Sequence, residues 1–214
     1  MTIAGIAGSM MATRAKATMT HSLAEIMLKP LIIGASVSAD RATNSPGKRL
    51  ALRYTPATEI KTIAMGGMPS TKVLPMVKAA DLKDRTIVIG IDLFFWDSAL
   101  PSSKESIQGL QRLIERTSAL NIPLVLGEVP ELLPGMQPSR VAINKAIVET
   151  CKATANCSVM NFDLLLQQVL NDGYLSVKGR KYTLQELVPD GLHMGAVLSE
   201  ELANRLASKL AEKN

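Results

Sequence analysis

The chain has 214 residues, 47% hydrophobic and 20% charged, a composition that supports one sizeable buried core and argues against disorder. Its formal net charge of +5 comes from scattered Lys and Arg, and aromatic residues make up only 3%. Nucleic-acid surfaces cluster basic side chains and interleave aromatics, so no nucleic-acid partner is expected. No apolar run reaches the roughly 18 residues of a spanning helix, so no integral membrane segment is expected.

Residues 1–29 read as an N-terminal leader with a short helix, and 30–214 as a single domain. The leader offers a cleavage-like Ala15-Lys16-Ala17 but no basic stretch before its apolar residues, a weak match to a secretory signal. The cytoplasm is therefore favoured, with the periplasm or secretion as the alternative. His21 falls in this leader and reads as an exposed helix residue.

From residue 30 onward, apolar runs alternate with helical periodicity. Residues 30–34 form a short apolar strand ending in Gly34-Ala35-Ser36. Residues 59–65 form a second strand ending at Gly66-Gly67, and Ser70 is placed to cap a helix over 70–81. Residues 86–91 (TIVIGI) are apolar and β-branched, the pattern of a buried central strand. A helix over 103–120, a strand over 123–126, a helix over 138–155 and a strand over 158–162 follow. Residues 163–171 begin another helix, 172–189 read as a loop or small hairpin, and 198–210 close the chain with Leu198, Leu202, Leu206 and Leu210 on one face. This order predicts a three-layer α/β/α sandwich around a five-stranded parallel sheet. Ligands in such sheets bind beyond the C-terminal ends of the strands, where Gly34–Ser38, Gly66-Gly67 and Gly90–Trp96 lie.

The two cysteines, Cys151 and Cys157, read as small buried hydrophobes; the alternative is a local disulfide, which belongs to an oxidising compartment. Without further Cys or paired His they make a poor zinc site, and no metal site is expected.

Three residues carry chemistry in combination. A serine hydroxyl needs a base to become a nucleophile, histidine is the base suited to neutral pH, and a carboxylate on the second ring nitrogen fixes its tautomer. Ser36, His193 and Asp190 supply these roles in the order Ser…Asp…His, with the acid and base three residues apart in Asp190-Gly191-Leu192-His193. Each alone has an ordinary structural explanation as a helix cap or a buried histidine; together, in an alternating α/β chain, they point to function. Phe94, Phe95 and Trp96 cluster at one strand end, some facing the core and others supplying an apolar wall for an acyl or leaving group. Asp97 reads as a cap for the helix that follows.

This combination resembles the SGNH, or GDSL-like, hydrolases over about residues 30–210. Gly34-Ala35-Ser36-Val37-Ser38 is similar to that family's Gly-Asp-Ser-Leu-Ser block, Gly66-Gly67 to its second glycine block, Gly90-Ile91-Asp92-Leu93 to its Gly-x-Asn-Asp, and Asp190-Gly191-Leu192-His193 to its Asp-x-x-His. Asn144 matches a frequent family asparagine. The resemblance implies a flavodoxin-like topology, Ser36 as nucleophile, His193 as general base and then acid, and Asp190 as its orienting partner. It also implies an oxyanion hole from the backbone N–H groups of Ser36 and Gly67 (or Gly66) with Asp92 at the third position. Gly66, Phe94, Phe95 and Trp96 would bind substrate. The expected substrate is a small-molecule, lipid or carbohydrate ester, with no cofactor.

Two departures stand out. Ala35 replaces the family's Asp, and Asp92 replaces an Asn that donates to the oxyanion; an ionised carboxylate cannot donate, and one lost donor costs about 10²–10³ in rate. Asp92 could be protonated, could turn to a neighbouring backbone, or could support another donor such as the Trp96 indole. The expected function is a serine esterase of short or medium acyl esters working through an acyl-Ser36 intermediate. The alternative is a weak or inactive homologue that binds a carbohydrate or lipid. A flavodoxin-like phosphate binder is disfavoured by the absence of the glycine-rich phosphate motifs. Specificity is assigned to loops over 39–57, 93–102, 129–138 and 171–189.

Overall fold

A computed structural model describes residues 22–131 and 137–212; most of the leader, His21 included, and part of the 129–138 loop lie outside them. Strands β1 (Pro30–Gly34), β2 (Lys61–Ala64), β3 (Ile87–Gly90), β4 (Leu124–Gly127) and β5 (Cys157–Met160) form one parallel sheet in the order β2-β1-β3-β4-β5. This is the expected five-stranded, doubly wound arrangement, with the strand order reversing between β1 and β3.

Both faces of the sheet are buried, and the alternation of side chains along the strands divides the core in two. Ile87, Ile89 and Val125 face one layer, with helices α1 (Leu23–Ile26), α2 (Pro46–Ala51), α7 (Phe162–Asp172) and α9 (Ala196–Glu212). Leu31, Ile33, Val88, Leu124 and Leu126 face the other, against α3 (Ser70–Val73), α5 (Lys104–Ala119) and α6 (Gln137–Lys152). Ile26 and Met27 belong to the first layer, so the packed domain begins before Pro30. Among the described residues, no helix is long and apolar enough to cross a membrane.

Three local expectations change. The single helix over 70–81 is broken into α3, a 3₁₀ turn Leu74–Met76 and α4 (Ala79–Leu82), because Pro75 has no N–H to continue the ladder. Ser70 is not the cap but the first helical residue, after Pro69. Asp97 does cap a helix, though an earlier one: its carboxylate accepts from the Ser70 N–H at 2.7 Å and the Ser70 hydroxyl at 2.6 Å. Burial raises its pKa, and hydroxyl and N–H donors offset part of that rise.

The 172–189 segment is the hairpin β6 (Leu175–Val177) and β7 (Arg180–Tyr182) followed by α8 (Leu184–Leu187). Cys151 and Cys157 are joined in a disulfide, 6 positions apart, between α6 and β5. That corrects the reading of two free hydrophobes and favours an oxidising environment.

Helix α2 was not expected within the 39–57 loop. Its start signal is present, a Ser45 cap followed by Pro46, but six residues are too few for periodicity to show. It packs along α9. The Ser199 hydroxyl donates to the Asn44 carbonyl at 2.6 Å, Arg49 donates to that hydroxyl at 3.2 Å, and Arg53 pairs with Glu200 at 2.8 Å. The segment after β1 is thereby tied to the C-terminal helix. Leu206, fully buried in that layer, anchors α9 to the sheet; Leu206→Ala should cost about 2–5 kcal/mol, read as a lowered midpoint in urea unfolding at unchanged slope.

Candidate active site

β1 ends at Gly34, and the chain turns at once: the Ala39 N–H donates to the Ala35 carbonyl and the Arg41 N–H to that of Ser36. Ser36 sits in this turn, 8% exposed. The Met65 N–H donates to the Gly34 carbonyl at 3.0 Å, which carries the β1–β2 pairing up to the glycines. A Cβ on Gly66 would stand 3.5 Å from that of Ser36, so Gly66 lies alongside the serine. Gly67 has φ +75°, a conformation that suits glycine.

Asp92, just past β3, is placed differently from an oxyanion donor. Its Oδ2 accepts from the Val37 N–H at 2.8 Å and the Ser38 N–H at 3.2 Å, and its Oδ1 accepts from the Ser38 hydroxyl at 2.5 Å. Both oxygens are thus committed to the turn that carries Ser36. The assignment of Asp92 to the oxyanion hole is corrected: it turns to the neighbouring backbone and props the serine turn from below. The same placement explains Gly34, where a Cβ would stand 2.1 Å from Asp92 Oδ1. Burial pushes the Asp92 pKa up, and the hydrogen bonds from Ser38, Val37 and Ala35 offset part of that.

The second motif is self-organised. Asp190 Oδ1 accepts from the N–H groups of Leu192 at 3.0 Å and His193 at 2.6 Å, while its Oδ2 lies 2.6 Å from His193 Nδ1. One carboxylate shapes the loop and holds the ring. The hydrogen bonds from the His193 backbone and ring hold the Asp190 pKa well below the carboxylate range. An ionised acceptor at Nδ1 places the ring proton there and leaves Nε2 as the free base. The loop is pinned at both ends, the Gly191 N–H donating to Val188 and the Gly195 N–H to Leu187.

Ser36 opens into a cleft at the C-terminal ends of β1, β3 and β4. Leu192 and Met194, on either side of His193, line it together with Phe95, Phe162 and Val188, so the Ser36 turn and the Asp190–His193 loop flank one space. The cleft is narrow, with a cavity volume of about 20 Å³. Among the described residues its polar side chains are Ser36, Asp92 and Glu128.

The aromatic cluster divides. Phe95 lines the cleft, Phe94 is buried in the α5-side core, and Trp96 packs against that core and edge-on to Phe95 at 5.3 Å between ring centres. Phe94 and Trp96 are therefore corrected from substrate wall to support. The segment is a 3₁₀ turn, Phe95–Ala99, so successive rings do not alternate as on a strand. Asn144 pairs with Val129 through both its amide atoms, accepting from its N–H at 2.7 Å and donating to its carbonyl at 3.0 Å, which fixes the loop after β4. Glu128 was missed because a single Glu after an apolar strand carries no motif.

No protein-family model matches the chain, and no curated protein is similar to it in sequence. Solved structures do match. A psychrotrophic esterase from Pseudoalteromonas sp. aligns at TM-score 0.61 and 17% identity over 86% of this chain and 97% of its own. The chain has the fold of the SGNH, or GDSL-like, hydrolases. A GDSL-like lipase from Bacteroides thetaiotaomicron aligns at 0.61 and 14% identity, over 87% and 89% of the two chains. An acetylxylan esterase from Geobacillus stearothermophilus aligns at 0.59 and 13%, over 87% and 93%.

Asp92→Ala should cost about 2–4 kcal/mol in urea unfolding, because it strands three donors under the Ser36 turn. Asp92→Asn should cost much less, its amide oxygen replacing Oδ2 and its NH₂ donating to Ser38. Because burial raises the Asp92 pKa, the folded state binds that proton more tightly than the unfolded one. The stability of the parent relative to Asp92→Asn should therefore fall as pH rises from the ordinary carboxylate range through the raised value.

Proposed function

We propose that the protein is a serine hydrolase of carboxylic esters, with Ser36 as nucleophile. The observation that carries this reading is the Asp190–His193 pair, 2.6 Å apart, in a loop that flanks the cleft holding Ser36. His193 Nε2 takes the Ser36 hydroxyl proton as Oγ attacks the ester carbonyl, and the negative charge develops on the carbonyl oxygen. Backbone N–H groups of Ser36 and of Gly66 or Gly67 receive that oxygen. The imidazolium, held by Asp190, then protonates the leaving alcohol, and an acyl-Ser36 ester remains. Water, deprotonated by His193, hydrolyses it in the second half-reaction. The chemistry calls on neither metal nor organic cofactor.

The narrow apolar cleft suits a short acyl group, in keeping with the acetylxylan esterase among the structures of this fold. Weak or no turnover is the second reading, and a specific observation favours it: the side chain at the third oxyanion position, Asp92, points its oxygens at the serine turn and offers no donor. The Cys151–Cys157 disulfide supports an oxidising compartment for the working protein.

A fluorophosphonate should add one adduct by intact mass, absent from Ser36→Ala, and p-nitrophenyl acetate should be hydrolysed above the Ser36→Ala and His193→Ala levels. A folded protein with neither adduct nor turnover would move the assignment to the non-catalytic reading. Asp190→Asn should lower kcat about 10²–10⁴-fold, since the ring loses the partner that fixes its tautomer.

A further inference from the structure

Of the three polar side chains in the cleft, two are accounted for. Ser36 is the reacting group, and Asp92 has both oxygens on the serine turn. Glu128 remains, at the end of β4 among apolar walls, and its buried Oε2 has no hydrogen-bond partner among the described residues. Arg140 pairs with Asp163 and, at 3.3 Å, with Glu131. The N–H groups of Leu164 and Asp163 at the start of α7 serve the rest of the carboxyl, so Oε2 is the oxygen the fold leaves unfilled, and a buried unpaired oxygen is costly.

Glu128 is also held in place. Its N–H donates to the Met160 carbonyl at 3.0 Å, extending the β4–β5 ladder by one residue, and the next residue, Val129, is clamped on both backbone groups by Asn144. A rigidly mounted polar group with an unfilled valence, in an otherwise apolar cleft, is how a binding site sets orientation.

We infer that Glu128 is the specificity-determining residue of the cleft, and that it hydrogen-bonds a hydroxyl of the ligand, so that hydroxyl-bearing esters are chosen over plain alkyl esters. This rests on the esterase reading for its chemistry, not for its binding. A hydroxyl fits better than an ammonium group. Burial raises the Glu128 pKa and the Asp163 charge adds to that, offset in part by the Leu164 and Asp163 N–H groups and by Arg140. A hydroxyl can pair with the carboxyl in either protonation state, whereas an ammonium needs the ionised one.

Two near-isosteric ester pairs test this: 2-hydroxyethyl acetate with propyl acetate, and ethyl glycolate with ethyl propanoate. The readout is the kcat/KM ratio within each pair, compared between the parent and Glu128→Leu, so that intrinsic ester reactivity cancels. In at least one pair the parent ratio should exceed that of Glu128→Leu by about tenfold or more, with Glu128→Gln retaining most of it. Glu128→Met replaces the Leu variant if that one does not fold. Ratios unchanged by the substitution overturn the inference, as does a preference for 2-(dimethylamino)ethyl acetate over both hydroxylated esters.

The same esters are titrated against Ser36→Ala and Ser36→Ala/Glu128→Leu, using the fluorescence of Trp96, the chain's one tryptophan, which touches the cleft through Phe95. Glu128-dependent, hydroxyl-selective binding in a parent that does not hydrolyse would sink the esterase reading and leave this one. Hydrolysis without such selectivity does the reverse. Neither binding nor hydrolysis of any of the four overturns this inference.

Discussion

The carboxylate of Asp92 is the constraint around which the site is built. It comes from just beyond β3 and is buried under the turn beyond β1, where two N–H groups and a hydroxyl converge on it. A buried carboxylate is expensive, and it is tolerated when its lone pairs are filled. Here the filling groups belong to the residues that follow Ser36, so the energy that satisfies the charge also sets the shape of the serine turn. Gly34 has no side chain because the carboxylate occupies that space. The acid that shapes the turn reaches it from just beyond the neighbouring strand β3.

The other half of the site needs no such help. Asp190 folds its own loop and grips His193 within one short segment, with positive φ at Gly191 easing the reversal. What it needs is placement opposite Ser36, and long-range packing supplies that. α2 follows the serine turn, α9 follows the histidine loop, and the two helices lie against each other, joined through Asn44, Arg49, Ser199 and the Arg53–Glu200 pair. Residues near the two ends of the domain meet on one face of the sheet, because the first strand lies inside it and the last helix packs over that face.

The cleft between these halves is largely apolar, and among its described polar groups the Glu128 Oε2 is unpaired. Its narrowness limits what enters, and Phe95 forms its wall with Phe94 and Trp96 behind as support. On the proposed reading the architecture separates reaction from selection: the strand-end turn and the histidine loop would hold the reactive groups, and the loop after β4, fixed by Asn144, the group that reads the ligand.

By itself the sequence determined the order of the five strands and the long helices, the parallel sheet covered on both faces, the strand-end serine and the Asp190–His193 pair. All of these are written in short-range patterns: apolar runs for buried strands, four-residue spacing for helix faces, and an acid and base on one turn. Tertiary structure alone decided the rest. Asp92 resembled a failed oxyanion donor until the fold brought it to Ser38, 54 positions away. Asp97 became the cap of an earlier helix, the aromatic triplet divided between cleft and core, and Glu128 emerged as a cleft residue without any motif. The reason is common to all four: local pattern reports which face of an element is apolar, whereas the partner that a polar side chain meets is set by where distant strand ends converge.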